Sequence, residues 1–280
     1  MFQDFIFHCK AKGLSANTIR IYSLGIRKFL DFYLGDILLV NKSVIDDYIV
    51  YLLVSGLSRY SVNNYLRSLK VFFKYLDSEY SVSLAQHIHF AKTPKIEKKI
   101  YSASELNVML EYLNTTEQPI RNKIIFLLMY DSGLRLSEVV NLKTSNIDID
   151  NRIALITGKG NKQRYISLGL TLTGLICSYN GGKPYFLVTK QGYALTQETI
   201  ANLFRRMKAA TGIYVTPHLL RHNYATNFMI HQVNTGSVDI YQLQMLMGHS
   251  DSATTKIYLH MAQKMIAVKN AYSHIDDIKI

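Results

Sequence analysis

The sequence predicts a mainly α protein with a small β-hairpin or sheet, built as two domains. Three observations carry this reading. Apolar residues recur at spacings of three and four over most of the chain. A single pair of short β-type runs, within residues 153–168, interrupts that helical pattern. One segment, residues 89–101, has no clear apolar face and divides the chain. A length of 280 residues suits one large or two ordinary domains, and 48% hydrophobic residues are enough to give each a core.

Residues 15–34 read as a helix. Ser15 supplies an N-cap, and Ile19, Tyr22, Ile26, Phe29 and Tyr33 form one face. Residues 43–55 and 59–76 repeat the pattern, the last with Val62, Leu66, Leu69, Phe73 and Leu76 as its core stripe. A second stripe, Arg59, Asn63, Arg67, Lys70 and Lys74, follows the same spacing. At ~100° per residue it sits about a quarter turn from the first. Such a stripe is either a solvated face or a surface laid against phosphates, with Asn63 or Arg67 reaching base edges. The next segment, HFAKTPKIEKKIY, holds four lysines and one proline and reads as an extended linker. The expected division is therefore a helical domain over 1–88, a linker over 89–101 and a larger domain over 102–280.

The larger domain is expected to open with helices at 103–113 and 119–131 and a short helix at 135–142. Strands at 153–156 and 164–168 follow, joined through Gly158-Lys159-Gly160-Asn161, which has turn chemistry. Helices are expected near 170–179, 196–210, 217–230, 239–247, 251–258 and 261–272. The lack of βαβ alternation argues against a Rossmann or P-loop fold. Gly158-x-Gly160 lies between two strands rather than before a helix, so it is no dinucleotide loop.

Lys and Arg number 32 against 20 Asp and Glu, a formal charge of +12. Residues 1–100 hold 14 basic and 8 acidic side chains, and residues 101–280 hold 18 and 12. The excess is spread along the chain, which excludes a basic tail on a neutral body. It suggests a partner that is polyanionic over a long surface, although charge alone does not single out nucleic acid. Cys9 and Cys177 are far apart and no signal-peptide pattern occupies residues 1–12, so the thiols read as reduced and cytoplasmic. No Cys/His group has zinc spacing. The longest uncharged apolar run, residues 124–130, is far too short to cross a bilayer, so a membrane-embedded protein is excluded.

Four segments stand out together. They are Ser132-Gly133-Leu134-Arg135-Leu136-Ser137-Glu138, Gly158-Lys159-Gly160-Asn161-Lys162-Gln163-Arg164, His218-Leu219-Leu220-Arg221-His222, and Met247-Gly248-His249 followed by Thr254-Thr255-Lys256-Ile257-Tyr258. In these segments the chain resembles the tyrosine recombinases, the phage-integrase and Xer family, and the resemblance extends over essentially its whole length. It implies a helical core-binding domain, a basic linker and a mixed, mostly helical catalytic domain.

Breaking a DNA phosphodiester without a metal needs a nucleophile that holds the cut strand, cations for the non-bridging oxygens and an acid for the leaving 5′ oxygen. The resemblance implies Tyr258 as nucleophile, Arg135 and Arg221 as phosphate-clamping arginines, and Lys159 as general acid. It implies His218 and His249 in proton transfer and phosphate hydrogen bonding, and leaves open which of them takes the tyrosine proton. An arginine suits its task because its planar fork binds phosphate bidentately and stays charged. A phenol ordinarily titrates near ~10, so it needs cations or a base to attack at neutral pH. Glu138, three residues after Arg135, either orients the site by hydrogen bonding or complements the helix dipole.

Rival site readings fail on their own chemistry. His218 and His222 have zincin spacing, but Leu219 stands where the glutamate is needed. Asp148 and Asp150 read as a turn before a strand, with no carboxylate cluster to complete a two-metal site. His87-x-His89 reads as surface. No cofactor and no metal are expected.

The resemblance further implies a DNA site with inverted repeats and a tetramer of this chain working through a Holliday junction. It leaves open whether accessory DNA-bending proteins take part. Met261, Met265, Ile266, Val268 and Ala271 are expected to form a tail that docks on a neighbouring protomer, with packing in cis as the alternative. Residues 230–240 look longer than the family's usual turn, and no additional N-terminal module for arm-type sites is expected. Two rivals remain: a type IB topoisomerase-like enzyme and a catalytically silent DNA-binding regulator. The second is disfavoured because every catalytic position is filled.

Overall fold

The computed structural model describes residues 1–94, 99–248 and 252–269, leaving aside the side chains of residues 159, 252–254 and 269. The chain divides into two units, residues 1–96 and 97–280.

The first unit is helical: α1 (Phe2–Ala11), α2 (Ala16–Phe32), α3 (Lys42–Val54) and α4 (Arg59–Tyr80). Short polar caps start the last three. Ser15 accepts from the Thr18 amide, Asn41 from Val44 and Ser58 from Ser61, each at 3.2 Å. Their apolar stripes meet in one core that includes Ile26, Phe29, Tyr48, Leu66, Leu69 and Phe73, all 0% exposed. Phe29 is central, standing edge-on to Tyr48 at 4.9 Å and to Phe73 at 5.7 Å. Helices α2 and α4 approach closely because residue 25 is glycine: a Cβ there would lie 2.4 Å from the Ser68 Cβ. Helix α1 was not expected from the sequence. Phe5 and Cys9 are its buried residues, one turn apart, while Phe7 is 74% exposed, so its apolar pattern is poorly defined.

After α4 and a 3₁₀ turn at Ala85–His87, the chain runs back along α4 as a strap over residues 88–94. Asn63 holds it at the middle, donating to the Ala91 carbonyl and accepting from the Ala91 amide, both at 2.9 Å. Arg59 donates to the Lys92 carbonyl at 3.2 Å and Lys70 to that of Ile88 at 3.3 Å. The Tyr60 hydroxyl donates to the Pro94 carbonyl. Arg67 and Lys70 lie over the Phe90 ring at 5.8 and 5.4 Å.

The second unit begins with α5 (Ala103–Asn114), opened by a Ser102–Glu105 capping box, and α6 (Pro119–Tyr130). The short α7 (Leu136–Val140) leads to an antiparallel sheet of β1 (Ile147–Asp148), β2 (Ile153–Thr157) and β3 (Gln163–Ser167), in that order. Then come α8 (Leu170–Cys177), α9 (Gln197–Thr211), α10 (Pro217–Thr235), α11 (Ile240–Met247) and α12 (Ser252–Lys269). In the hairpin register Ala154 faces Ile166 and Ile156 faces Arg164. This puts Arg164 on the same side as buried Ile166.

Helices α5 to α9, the first turns of α10 and the sheet bury one large core, in which Leu128, Leu134, Val139, Phe204 and Leu220 take part. Helices α10 to α12 build a smaller one from Ala225, Met229, Leu243, Met247, Tyr258 and Ala262. The structure departs from the sequence reading here. The two helices expected at 251–258 and 261–272 are one continuous α12, since no glycine or proline lies between them. The long stretch at 230–240 is mostly helix. Helix α10 runs on to Thr235 and is capped by Gly236 in the left-handed region at φ 75°.

Candidate active site

The turn between α6 and α7 sets the first arginine. The Leu134 amide donates to the Leu128 carbonyl at 2.9 Å, and the Ser132 hydroxyl donates to the Ser167 carbonyl at the end of β3 at 3.0 Å. Gly133 sits at φ 67°, and a Cβ there would fall 2.3 Å from the Tyr224 ring, so only glycine makes this turn. Arg135 then stands at the N-cap of α7.

Glu138 is the hub of the site. It is 4% exposed and faces three arginines from three different elements. One oxygen, Oε1, accepts from Arg135 Nη1 at 2.9 Å and from Arg164 Nη1 at 2.8 Å. The other, Oε2, accepts from Arg164 Nη2 at 2.7 Å and from the Arg135 amide at 2.8 Å. Arg221 Nη1 lies 3.7 Å from Oε2. Burial alone would raise the Glu138 pKa. Hydrogen bonds from Arg164 and from the Arg135 amide overcome that and hold the carboxyl below its ordinary value. Glu138 thus accepts from the first turn of α7 and from two arginine side chains at once.

The same arginines cap three successive carbonyls at the C-terminal end of α11. Arg164 Nε donates to Leu246 at 2.7 Å, Arg221 Nη2 donates to Met247, and Arg135 Nη2 donates to Gly248 at 2.9 Å. Arg221 also donates to the Gly133 carbonyl. These carbonyls have no partner within their own helix, so cationic donors suit them. Burial pushes the Arg221 guanidinium down to about 10, helped by repulsion from Arg135 and opposed by Glu138. It remains a cation at neutral pH. Arg135 is the open member of the set, with 33% of its side chain exposed.

Tyr258 is 8% exposed on α12, within the smaller core. Its ring centroid lies 5.1 Å from that of His222, which is itself 2% exposed. Burial raises the Tyr258 pKa, and Arg221 and Arg135 pull against that rise without cancelling it. The phenol is thus protonated at neutral pH in this state. His218 is exposed in the first turn of α10.

The backbone of Lys159 lies in the β2–β3 turn, where Gly160 at φ 73° and Asn161 at φ 59° are both left-handed. The side chain of Lys159, like the whole of His249, falls outside the described residues. The structure thus brings Arg135, Glu138 and Arg221 into direct contact and places Tyr258 within their electrostatic reach. Arg164 is the member the sequence reading passed over. Its signal was strand alternation, because a residue two positions from Ile166 faces inward. Among the described residues, no three His, Cys, Asp or Glu side chains group as a metal site would.

The α4 stripe looks different from the surface expected of it. Asn63 is 5% exposed and both ends of its amide are used by Ala91, so it does not reach outward to a base edge. Arg59, Arg67 and Lys70 hold the strap while keeping their charges near the surface, and Lys74 is exposed.

Comparison with known proteins agrees with this architecture. Residues 99–265 match the phage integrase family, and residues 1–82 match the phage integrase N-terminal SAM-like domain. The tyrosine recombinase XerA of Thermococcus onnurineus is 32% identical over 91% of this chain and 89% of its own length. The tyrosine recombinase XerD of Listeria monocytogenes is 29% identical, with 97% of each chain covered. The Tn1549 transposon integrase, solved in complex with transposon right end DNA, superposes with a TM-score of 0.72 over 97% of this chain and 99% of that one. At 19% identity that likeness shows the fold. The chain therefore belongs to the phage integrase family and is a tyrosine site-specific recombinase.

Proposed function

We propose that Tyr258 is the nucleophile and that Arg135, Arg221, Lys159, His218 and His249 serve the transfer of a DNA phosphodiester. The observation that supports this most is the convergence of Arg135 and Arg221 on Glu138, with Tyr258 close enough to feel both cations. The Tyr258 oxygen attacks the scissile phosphorus and the bond to the 5′ oxygen breaks. The phenolic proton passes to His218 or His249, and the leaving oxygen takes one from Lys159. The products are a 3′-phosphotyrosine and a free 5′ hydroxyl. A 5′ hydroxyl from a partner duplex reverses the step. Each transfer exchanges one phosphodiester for another of similar energy, so the cycle needs no ATP.

Arg135 and Arg221 meet the charge that builds on the non-bridging oxygens. Arg59, Arg67, Lys70 and Lys74 contact phosphates from the first unit. The substrate is a duplex site with inverted repeats, held by four copies of the chain that exchange strands through a Holliday junction in the cytoplasm, on the nucleoid. Met265 and Val268, 38% and 70% exposed near the end of α12, start the surface that docks on a neighbouring copy.

The test uses a duplex library of random sequence and looks for DNA that stays attached to denatured protein. Wild type should form the adduct and Tyr258→Phe should not, while both still bind the recovered sequence. An adduct with Tyr258→Phe would name another nucleophile. On the recovered site, Lys159→Ala should slow cleavage by about 10²–10⁴-fold, the usual value of one positioned proton donor. A sulfur in place of the bridging 5′ oxygen needs little protonation to leave and should restore the rate. If it does not, Lys159 positions DNA instead.

A further inference from the structure

Arg164 has no place in the chemistry above, yet it is the most completely engaged of the three arginines. Two of its nitrogens grip both oxygens of Glu138, at 2.8 and 2.7 Å, and the third holds the Leu246 carbonyl at 2.7 Å. Its side chain is 10% exposed. Glycines close it in. A Cβ on Gly248 would lie 3.1 Å from Arg164 Nη1, and one on Gly158 would lie 3.3 Å from Glu138 Oε1 and 3.6 Å from Arg164 Nη1. All three nitrogens of Arg164 are thus engaged, whereas the Arg135 side chain beside it is 33% exposed.

Among the described residues, the charges in this cluster are three guanidiniums and one carboxylate. A phosphodiester carries one negative charge, and the five-coordinate phosphorus of the transfer carries two on its non-bridging oxygens. Two cations match that state. If Glu138 had only Arg135 and Arg221 to face, it would neutralise half of their combined charge and compete with the phosphate for their donors. A bidentate Arg–carboxylate pair is among the strongest ways to satisfy a buried carboxylate.

We propose that Arg164 is a positioning residue that neutralises Glu138 and so leaves the charges of Arg135 and Arg221 to the scissile phosphate. This rests on the recombinase reading of the site. Glu138 then acts as an aligning strut for two arginines without drawing down their field, because its charge is answered from β3. The same contact anchors the strand that follows the Lys159 turn and the helix end that precedes His249.

The experiment is single-turnover cleavage of a nicked suicide duplex built on the sequence that wild type traps, with binding to the intact duplex measured separately. Arg164→Gln should lower the cleavage rate on the order of 10²-fold, the scale of losing one oriented donor in such a site, with binding little changed. The double variant Glu138→Gln, Arg164→Gln restores two net cations and should recover on the order of tenfold or more of that loss. Failure of this recovery, or an Arg164→Gln rate equal to wild type, overturns the proposal. Arg164→Lys keeps the charge without the fork and guards against a folding artefact. It should cleave well above Arg164→Gln, and equal rates for the two also overturn the charge role. Absence of any adduct with wild type would instead sink the proposed roles of the site residues on which this inference rests.

Discussion

Two groups of cations in this chain have opposite fates. In the second unit, Arg135, Arg164 and Arg221 turn inward onto Glu138 and onto the carbonyls that end α11. In the first unit, the α4 stripe stays near the surface and holds the chain's own strap at residues 88–94. The inward group comes from three elements and converges on one buried anion, so its members, which repel one another, depend on the Glu138 carboxylate they share. The α4 group comes from a single helix face, and its cations can be lost one at a time. Desolvation makes the difference, since buried charges act as a unit and exposed ones act independently.

That contrast can be broken first at Arg221. Arg221→Ala removes one of the two cations proposed to meet the scissile phosphate and uncaps the Met247 carbonyl. Cleavage of the trapped site should fall by about 10²–10³-fold. If the variant retains more than a tenth of the wild-type rate, an exposed arginine would have served as well.

Glu138 supplies the pH arm of the comparison. Its pKa is depressed in the folded chain, so its stabilising effect is present above the ordinary value of 4.5 and is lost as pH falls through the folded value. The gap in melting temperature between wild type and Glu138→Gln should therefore be widest near neutrality and shrink below about pH 4.5. A gap that stays constant from pH 7 to pH 3 would show that the carboxylate charge contributes nothing to the cluster.

Asn63 tests the α4 side. Asn63→Ala leaves the Ala91 amide and carbonyl without partners and should destabilise the first unit by about 1–3 kcal/mol. Proteases should then cut within residues 88–94 more readily, while the cleavage rate per bound complex is unchanged. Unaltered proteolysis would mean that the strap is held mainly by its other contacts.

The smallest effect is expected at Lys74. Lys74→Ala should weaken DNA binding for all sequences alike and lower the salt slope by about one phosphate contact. A loss confined to one DNA sequence would show that this face reads bases.

Much of the fold was legible from periodicity and caps. Helices α2, α3 and α9 begin and end within about two residues of their expected limits, because Ser15, Asn41 and Thr196 are short polar caps at their starts. Helix α1 escaped notice because only Phe5 and Cys9 mark its buried side. Strand β1 is two residues long and has no periodicity to read. In the candidate active site, the order and local context of Arg135, Arg221 and Tyr258 were readable in sequence.

The chain's sequence alone determined which residue types stand at each of these positions, where most helices begin, and that two basic units are joined by a lysine-rich segment. Only the tertiary structure decided which cations are buried. A stripe at helical spacing looks the same whether it meets solvent, DNA or its own chain, and Asn63 meets its own chain. The pairing of Arg164 with Glu138 joins residues 26 apart, and its strength depends on the exclusion of water from side chains only 10% and 2% exposed. That exclusion is a property of packed elements, and local sequence carries no record of it.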